Sequence, residues 1–292
     1  MSEPNGMVGL VNSAAHLIGK VVEQEPLAKD TYRLRIECPE IARQIVPGQF
    51  FMIRDPRVAD PILGRPFALL DVYCGPSGEP AGIDFGYLVV GKMTQLMTTW
   101  AAGDPVELWG PLGNGFPVAD GRRLFLVAGG IGQTPFRAVA REALGYRKYG
   151  LGNRPEAVRP KSLTMCYGVR SKSHLAALDW FTHLDGLDVR VATDDGSYGH
   201  HGFVTDLLNR SYDTDEAPEA IYCCGPEPMM AAVAKIAEAR GTPCWLSLES
   251  PMACGFGICF SCVTRVRQDD GSWDYRRTCV EGPVFPADKL CL

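Results

Sequence analysis

Long apolar runs are missing from this chain of 292 residues. A helix that crosses a membrane needs about 18 or more consecutive apolar residues, and no run approaches that length. The first residues also lack the basic stretch, apolar core and small-residue cleavage site of a secretory leader. We therefore expect a cytoplasmic protein with no membrane partner.

An excess of positive charge is absent as well. The net charge is −5, with 22% charged and 46% hydrophobic residues, which is ordinary for a globular protein. Nucleic acid would meet no general electrostatic attraction, so we expect no nucleic-acid partner. The length suggests about two domains, each able to bury a core.

The eleven cysteines are an odd number, in a chain too large to need disulfides for stability. Cys166, Cys223 and Cys224 lie inside apolar, strand-like runs, where reduced buried thiols are the better interpretation. A different group is concentrated near the end of the chain. It has the spacing C-x4-C-x2-C followed by one distant cysteine, and it consists of Cys254, Cys259, Cys262 and Cys279.

This spacing is typical of a plant-type [2Fe-2S] site, in which four thiolates hold two irons. Gly255 and Gly257 allow the backbone to curl so that N–H groups face the sulfurs. Zinc, disulfides and chance are the alternatives. Zinc usually takes two close pairs of cysteines, so it is the weaker interpretation.

Residues 19–116 consist of short, often alternating segments separated by Gly, Pro and Asp. Many short strands at this spacing predict an antiparallel barrel. We expect strands at 32–36, 50–53, 67–70, 85–90 and 106–109, and a short helix at 96–100.

After residue 121 the pattern changes to strands that alternate with helices, which predicts a parallel sheet with helices on both faces. We expect strands at 124–128, 163–167, 187–193, 220–224 and 243–248, and a clear helix at 229–240. Thr134 and Pro135 predict a helix N-terminus after the first of these strands. The Gly- and Arg-rich interval 145–161 has no periodicity and predicts a mobile surface loop.

A glycine turn joins that first strand to its helix, and such turns bind anions through free N–H groups and the helix dipole. Gly129, Gly130 and Gly132 are therefore candidates to approach a pyrophosphate. The full dinucleotide fingerprint is incomplete, because Pro135 replaces its third glycine and no acid ends the following strand. A plain strand-to-helix turn is the alternative.

Two further turns follow strands at the edge where open parallel sheets bind ligands. They supply the candidates Asp194, Asp195, Gly196, Cys224, Gly225 and Pro226, for which ordinary turn chemistry is the alternative. Arg170 and Lys172 suit an adenosine phosphate but equally suit a solvated surface.

Arg65 begins a strand in the barrel half and suits a bidentate phosphate contact, unless it is only a surface arginine. His200 and His201 have no partner at metal spacing and are interpreted as loop residues.

Taken in order, these motifs resemble those of the ferredoxin-reductase superfamily. They are Arg-Pro-Phe-Ala at 65–68, Val-Val-Gly-Lys-Met-Thr at 89–94, Gly-Pro-Leu-Gly-Asn-Gly-Phe at 110–116, Ala-Gly-Gly-Ile-Gly at 128–132, Thr-Asp-Asp-Gly at 193–196, Cys-Gly-Pro at 224–226 and the cysteine loop. More narrowly, residues 252–255 and 279–285 resemble the electron-transfer subunits of class B dihydroorotate dehydrogenases. The resemblance spans about residues 19–285.

The resemblance implies three domains: an FAD-binding barrel at 17–118, an NAD-binding α/β domain at 119–247 and a small [2Fe-2S] domain at 248–292. It implies that the flavin is held by Arg65, Pro66, Phe67, Ala68, Val90, Gly91, Lys92 and Thr94. Two residues depart from the superfamily pattern. Ala68 stands where Ser or Thr is usual beside the reactive flavin nitrogen, and Met93 replaces a glycine in the phosphate turn.

The resemblance also implies a function and a partner. Hydride carries two electrons and an iron–sulfur cluster passes one, so a flavin is needed between NAD and the cluster. The implied partner is an FMN-containing catalytic subunit that oxidises dihydroorotate in pyrimidine biosynthesis, in a heterotetramer, with NAD+ as the final acceptor. We name no catalytic acid or base in this chain.

Two alternatives remain open. One is the small subunit of a related NAD(P)H-dependent ferredoxin or sulfide oxidoreductase. The other is a non-catalytic binding protein with structural zinc in the cysteine loop. In either electron-transfer case, at least one of Phe256, Ile258 and Phe260 is expected on an exposed apolar patch where a partner docks.

Overall fold

The computed structural model describes residues 14–150, 152 and 154–291. Within these residues, two seven-stranded sheets and one two-stranded hairpin form the architecture. The first sheet belongs to the N-terminal part of the chain and the second to the central part. None of the helices in the described ranges combines the length and apolarity needed to cross a membrane.

The first sheet is antiparallel and has the order β4-β3-β7-β1-β2-β6-β5. Its elements are β1 (Ala15–Ala28), β2 (Thr31–Glu37), α1 (Pro39–Gln44), β3 (Phe50–Arg54), β4 (Arg65–Ala68), β5 (Asp71–Cys74), β6 (Pro80–Leu88), α2 (Lys92–Met97) and β7 (Pro105–Leu112). Because β4 also contacts β6, the sheet curls on itself, and the predicted antiparallel barrel is confirmed.

Strand β3 shows how the sequence gives this sheet two apolar faces. Successive side chains in a strand point to opposite faces. Phe51 and Ile53 are fully buried in the barrel core. Phe50 and Met52 point the other way and pack with the cysteine loop. The continuous apolar run at 50–53 therefore reflects burial on both faces of one strand.

The second sheet has the order β11-β10-β9-β8-β12-β13-β16. Its elements are β8 (Leu124–Gly129), α3 (Phe136–Ala143), β9 (Leu163–Val169), α4 (Leu178–Thr182), β10 (Leu187–Thr193), β11 (His200–His201), α5 (Val204–Tyr212), β12 (Ala220–Cys224), α6 (Glu227–Ala239) and β13 (Cys244–Ser247). The hairpin β14 (Val263–Arg267) and β15 (Trp273–Arg277) follows, and β16 (Val284–Pro286) returns to the sheet.

The predicted parallel sheet is confirmed for β8 to β13, with one addition at its edge. Strand β16 pairs antiparallel with β13, although it lies in the segment predicted to form the third domain. The strand order reverses at β8, with β9 on one side and β12 on the other. Ligands of doubly wound sheets bind at such a switch point.

The predicted N-cap at Thr134 is wrong. A 3-10 turn, Gly130–Gln133, comes before α3. The Thr134 hydroxyl donates back to the carbonyl of Ile131 at 2.8 Å, so it does not cap the helix. Helix α3 begins only at Phe136, after Pro135.

The interval 145–161 forms no helix or strand in the residues described there, as predicted for a loop, but side-chain contacts that the sequence did not predict anchor it. Tyr149 is buried, and its hydroxyl donates to Asp71 at 2.6 Å. Arg154 donates to Glu142 at 2.7 Å and 2.8 Å and to the carbonyl of Phe116 at 2.8 Å. Isolated polar residues that look solvated in the sequence thus pack this segment against the barrel and α3.

Several predicted bounds differ from the structure; the strand expected at 85–90, for example, is part of β6, which starts at Pro80. The strand expected at 67–70 is β4, which starts at Arg65, and the helix expected at 96–100 is α2, which starts at Lys92. His200 and His201 form the short edge strand β11 instead of a loop. The start of each of these elements depends on strand pairing or on capping by polar groups. The periodicity of apolar residues does not predict such contacts.

Candidate functional site

The cysteine loop at 254–262 lies on the outer face of the barrel, against β3 and β7. Cys262 and Cys279 are buried there with Phe50, Met52 and Leu112. A Cβ at Gly255 would lie 2.8 Å from Met52 and 3.0 Å from Leu112, so only glycine allows this close approach. Its φ of 76° is also left-handed, which glycine adopts at little cost.

The four cysteines fall into two neighbouring pairs. Cys259 interacts with Cys254 and with the Ser261 hydroxyl, and the pKa of its thiol is lowered to about 6, chiefly by Ser261. Cys262 and Cys279 share a hydrogen bond. This bond lowers the pKa of the Cys262 thiol to about 6 and raises the pKa of the Cys279 thiol. These two pairs of thiols match a [2Fe-2S] cluster, in which each of the two irons takes two cysteine ligands.

Backbone N–H groups point at these sulfurs, as the glycine spacing predicts. The amide of Phe256 donates to the Cys254 sulfur at 3.4 Å, and the amide of Gly257 donates to Cys279. Such bonds stabilise thiolates and tune a cluster. In the part of the chain that the structure describes, no three His, Cys, Asp or Glu side chains surround a single metal position.

The exposed side of the loop is apolar. Ile258 is 66% exposed and Phe260 is 60% exposed, whereas Phe256 is partly buried against Trp109. The expectation that at least one of these three residues is exposed is confirmed. Phe260 also has a left-handed φ of 55°, which is costly for a bulky residue.

The residues expected to hold a flavin lie along one rim of the barrel. Arg65 pairs with Ile53 and Ala68 pairs with Phe50 across β3 and β4. The side chain of Phe67 packs on Phe85 with ring centroids 4.8 Å apart. This rim leaves large apolar side chains exposed, namely Ile62, Leu63 and Val90. Exposed apolar groups beside a guanidinium suit a flat, apolar ring system that carries phosphates.

The turn at 90–94 completes this rim. The Thr94 hydroxyl accepts hydrogen bonds from the amides of Val90 and Gly91, each at 3.0 Å. Lys92 forms an ion pair with Asp60 and so connects the turn to the loop before Arg65. A Cβ at Gly91 would meet nothing within 4 Å, which leaves open space for a ligand.

The glycine turn after β8 meets the turn after β12 at the switch point of the second sheet. A Cβ at Gly132 would overlap the carbonyl of Cys224, and one at Gly129 would lie 2.8 Å from Pro226. Gly225 has a φ of 159° and approaches the backbone of Gly129. These candidate residues thus form one crevice. Burial raises the pKa of Cys224 to about 12, so its thiol is neutral.

Asp194, Asp195 and Gly196 lie elsewhere, two strands from β8, at the end of β10. The amides of Asp194 and Asp195 donate to the carbonyls of Val169 and Arg170 at 3.1 Å and 3.2 Å. Ser197 donates to the Asp195 carboxylate and lowers its pKa. The acidic turn therefore stands beside Arg170 and Lys172, where the far end of a dinucleotide would extend from the crevice.

Sequence reasoning missed two residues that connect distant parts of the chain: Trp109, which contacts the cysteine loop, and Asp71, which joins the barrel to α3. Trp109 donates from Nε1 to the carbonyl of Cys254 at 2.9 Å. Asp71 accepts from Tyr149, Arg137 and Arg141. The partners of both residues are distant in sequence. The only sign of their role in the sequence is the presence of a Trp and an Asp within apolar, strand-like segments.

Comparisons with known proteins agree with this arrangement. Residues 249–291 match the family model "Iron-sulfur cluster binding domain of dihydroorotate dehydrogenase B", and residues 126–235 match "Oxidoreductase NAD-binding domain". A solved structure of the NADH-dependent reduced ferredoxin–NADP oxidoreductase has a TM-score of 0.75 at 25% identity, covering 93% of this chain and 89% of that one. A ferredoxin reductase from carbazole 1,9a-dioxygenase shares the fold, with a TM-score of 0.62 at 22% identity over 79% of this chain and 67% of that one.

The fold and these sites define an oxidoreductase subunit of the ferredoxin-reductase class with an added iron–sulfur domain. The electron transfer subunit of dihydroorotate dehydrogenase B (NAD(+)) from Geobacillus thermodenitrificans is 35% identical over 93% of this chain and 97% of its own length. A homolog of that subunit from Aquifex aeolicus is 32% identical over 95% and 99%. The chain belongs to the family of dihydroorotate dehydrogenase B electron transfer subunits.

Proposed function

We propose that this chain passes electrons between a catalytic flavoprotein partner that oxidises dihydroorotate and NAD+, through a [2Fe-2S] cluster and FAD. One observation carries the proposal: the cysteine loop at 254–262, together with Cys279, packs on β3 and β7, next to the strand that bears Arg65. A one-electron site and a flavin-type rim thus share one sheet. FAD, when bound, supplies the conversion between hydride and single electrons.

The residues of this chain bind and orient the cofactors. Cys254, Cys259, Cys262 and Cys279 are the proposed iron ligands, in the pairs described above. The proposed flavin contacts are Arg65, Pro66, Phe67, Ala68, Val90, Gly91, Lys92 and Thr94. The proposed NAD contacts are Gly129, Gly130, Gly132, Asp194, Asp195, Gly196, Cys224, Gly225 and Pro226.

The proposed partner is an FMN-containing catalytic subunit, and the proposed assembly is a heterotetramer of two copies of each chain. The names of the relatives as electron transfer subunits support a separate catalytic chain. The exposed apolar side chains of Ile258 and Phe260 support docking close to the cluster.

The test uses the isolated full chain, purified without oxygen. We expect bound FAD, two irons and two acid-labile sulfides, and flavin bleaching by NADH but not by dihydroorotate until the catalytic partner is added. One zinc per chain without labile sulfide would contradict the proposal. Bleaching by dihydroorotate alone would contradict the division of labour between the two subunits.

A second candidate is the small subunit of a related NAD(P)H-dependent ferredoxin oxidoreductase. The similarity over 93% of the chain to the NADH-dependent reduced ferredoxin–NADP oxidoreductase favours it. Cofactor content would be the same for both candidates. Dihydroorotate-dependent reduction of NAD+ after addition of a dihydroorotate dehydrogenase catalytic subunit distinguishes them.

A further inference from the structure

Trp109 lies between the two candidate cofactor sites of the barrel and contacts both. On one side, a Cβ at Gly64 would lie 2.5 Å from the far edge of the indole ring, so the backbone just before Arg65 rests on this ring. On the other side, the ring stacks on Phe256, with centroids 6.1 Å apart and planes 19° apart. Its Nε1 donates to the carbonyl of Cys254 at 2.9 Å.

The sheet itself dictates this position. In β7, Val106 and Leu108 point into the barrel core, so Trp109 points outward. Met52 of β3 pairs with Trp109 on one side and with Pro66 of β4 on the other. A continuous row across three strands therefore leads from the proposed flavin strand to Trp109.

The packing leaves little freedom between the loop and the barrel. A Cβ at Gly255 would lie 3.3 Å from Nε1 of Trp109, in addition to its close contacts with Met52 and Leu112. The indole thus occupies the space that determines how near Cys254 comes to the strand bearing Arg65. A smaller side chain would leave a void there and release the carbonyl of Cys254.

We propose that Trp109 is a positioning residue that sets the separation and orientation of the iron–sulfur site relative to the flavin site. This inference rests on the proposed function. In the direction used for a test, NADH would supply hydride, that is two electrons and a proton, to FAD bound at the flavin site; one electron would pass to an oxidised [2Fe-2S] cluster, which takes only one, and the other would stay on the flavin. The indole is neither oxidised nor reduced.

Three variants of the cofactor-loaded full chain test the inference. Trp109→Leu removes the ring, Trp109→Phe keeps a ring but removes the N–H donor, and Gly64→Ala pushes the ring from the opposite side. Trp273→Leu is the matched control, because Trp273 is half-exposed on the hairpin strand β15. Iron, labile sulfide and flavin are measured first, since their absence from the parent chain would refute the proposed function itself.

Stopped-flow absorbance then separates flavin reduction by NADH from cluster reduction. We expect Trp109→Leu to leave flavin reduction within about twofold and to slow cluster reduction by at least about fivefold, because the rate of electron transfer between two bound cofactors falls steeply as their separation grows. Trp109→Phe and Gly64→Ala should give smaller slowing in the same step. The control should match the parent in both steps.

Two readouts do not depend on turnover. The midpoint potential and EPR spectrum of the cluster should change in Trp109→Phe, because the bond to the Cys254 carbonyl is lost. In the cofactor-free chain, amide hydrogen exchange of residues 254–256 should be faster in the Trp109 variants than in the parent. If Trp109→Leu does not retain its cluster, the measurements on Trp109→Phe and Gly64→Ala test the inference instead. Unchanged cluster reduction and unchanged potential in these variants would overturn the inference.

Discussion

Gly132 and Cys224 lie so close that a Cβ on Gly132 would overlap the carbonyl oxygen of Cys224. The two residues come from turns at the ends of neighbouring parallel strands, β8 and β12. Their contact closes the base of a crevice at the switch point of the sheet, where nucleotides bind in this class of fold. The absence of a side chain at Gly132 thus determines the shape of the proposed nicotinamide nucleotide site.

We therefore expect Gly132→Ala to slow flavin reduction by NADH by about a hundredfold, because the turns must separate by about 1 Å. Flavin and iron content should not change. Gly75→Ala is the matched control, because a Cβ there meets only Ala81 at an ordinary 3.5 Å. Single-turnover reduction of the flavin measures both variants. Normal reduction in Gly132→Ala would place the nucleotide elsewhere.

The nucleotide should be NADH and not NADPH. No acid ends β9, but the backbone of Asp195 bonds that of Arg170, and Ser197 lowers the pKa of the Asp195 carboxyl and so keeps it ionised. A negative charge there disfavours a 2′-phosphate. We expect kcat/KM to favour NADH at least tenfold, about 1.4 kcal/mol. Asp195→Asn should reduce this preference, and a tenfold preference of the parent for NADPH would refute the assignment.

The proposed iron ligands predict a selective loss. Cys262→Ser should abolish the cluster absorbance and labile sulfide but retain most of the flavin, because the flavin rim is formed by β4 and the turn at 90–94. Cys291→Ser, which changes an exposed cysteine outside the loop, should keep both cofactors. Metal and sulfide analysis with flavin absorbance provides the measurement. Retention of two irons and two sulfides in Cys262→Ser would remove Cys262 from the ligand set.

Elements that depend on local pattern could be predicted from the sequence, and elements that depend on distant partners could not. Strands β10 and β12 have the predicted bounds, because their apolar runs are short and flanked by turn residues. The first three cysteines of the predicted iron site likewise lie within one loop. By contrast, Trp109 meets a partner 145 residues away and Asp71 one 78 residues away. No local pattern encodes such a pairing, so the packing of 145–161 was missed.

Asp71 should contribute strongly to stability. Its buried carboxylate joins β5 of the barrel to Arg137 and Arg141 of α3 and to Tyr149. Removing one charge from a buried ion pair costs about 3–5 kcal/mol. We expect Asp71→Asn to lower the free energy of unfolding by about 3 kcal/mol in denaturant titrations.

The matched control is Asp269→Asn, which removes an exposed carboxylate paired with Lys289 at 2.8 Å. Exposed pairs contribute about 0–1 kcal/mol, so this variant should unfold almost as the parent does. Equal stability of the two variants would show that the barrel and the α/β domain are held together by their apolar contacts instead.

The exposed apolar surface beside the cluster should be the docking site of the catalytic partner. Phe260 combines 60% exposure with a left-handed backbone, and the Arg277 guanidinium lies 4.8 Å from its ring centroid. A left-handed backbone is costly for an aromatic residue, and such strain concentrates at functional sites. Ile258, two residues earlier, extends the same apolar surface.

Burial of one such side chain is worth about 1.5–3 kcal/mol. Phe260→Ser and Ile258→Ser should therefore each weaken association with the catalytic subunit about tenfold or more, as measured by calorimetry or analytical ultracentrifugation, while NADH still reduces the flavin normally. Phe256→Ser should act differently. Because Phe256 stacks on Trp109, its loss should disturb the cluster loop before it affects docking.

Phe203→Ser is the matched control for docking, since Phe203 is 66% exposed but precedes α5, outside the cysteine loop. It should bind the partner as the parent does. If Phe260→Ser and Ile258→Ser keep an intact cluster and bind the partner as tightly as Phe203→Ser, electrons must leave through another face. The strain at Phe260 would then serve only to place Cys259 and Cys262, its neighbours on either side of the turn.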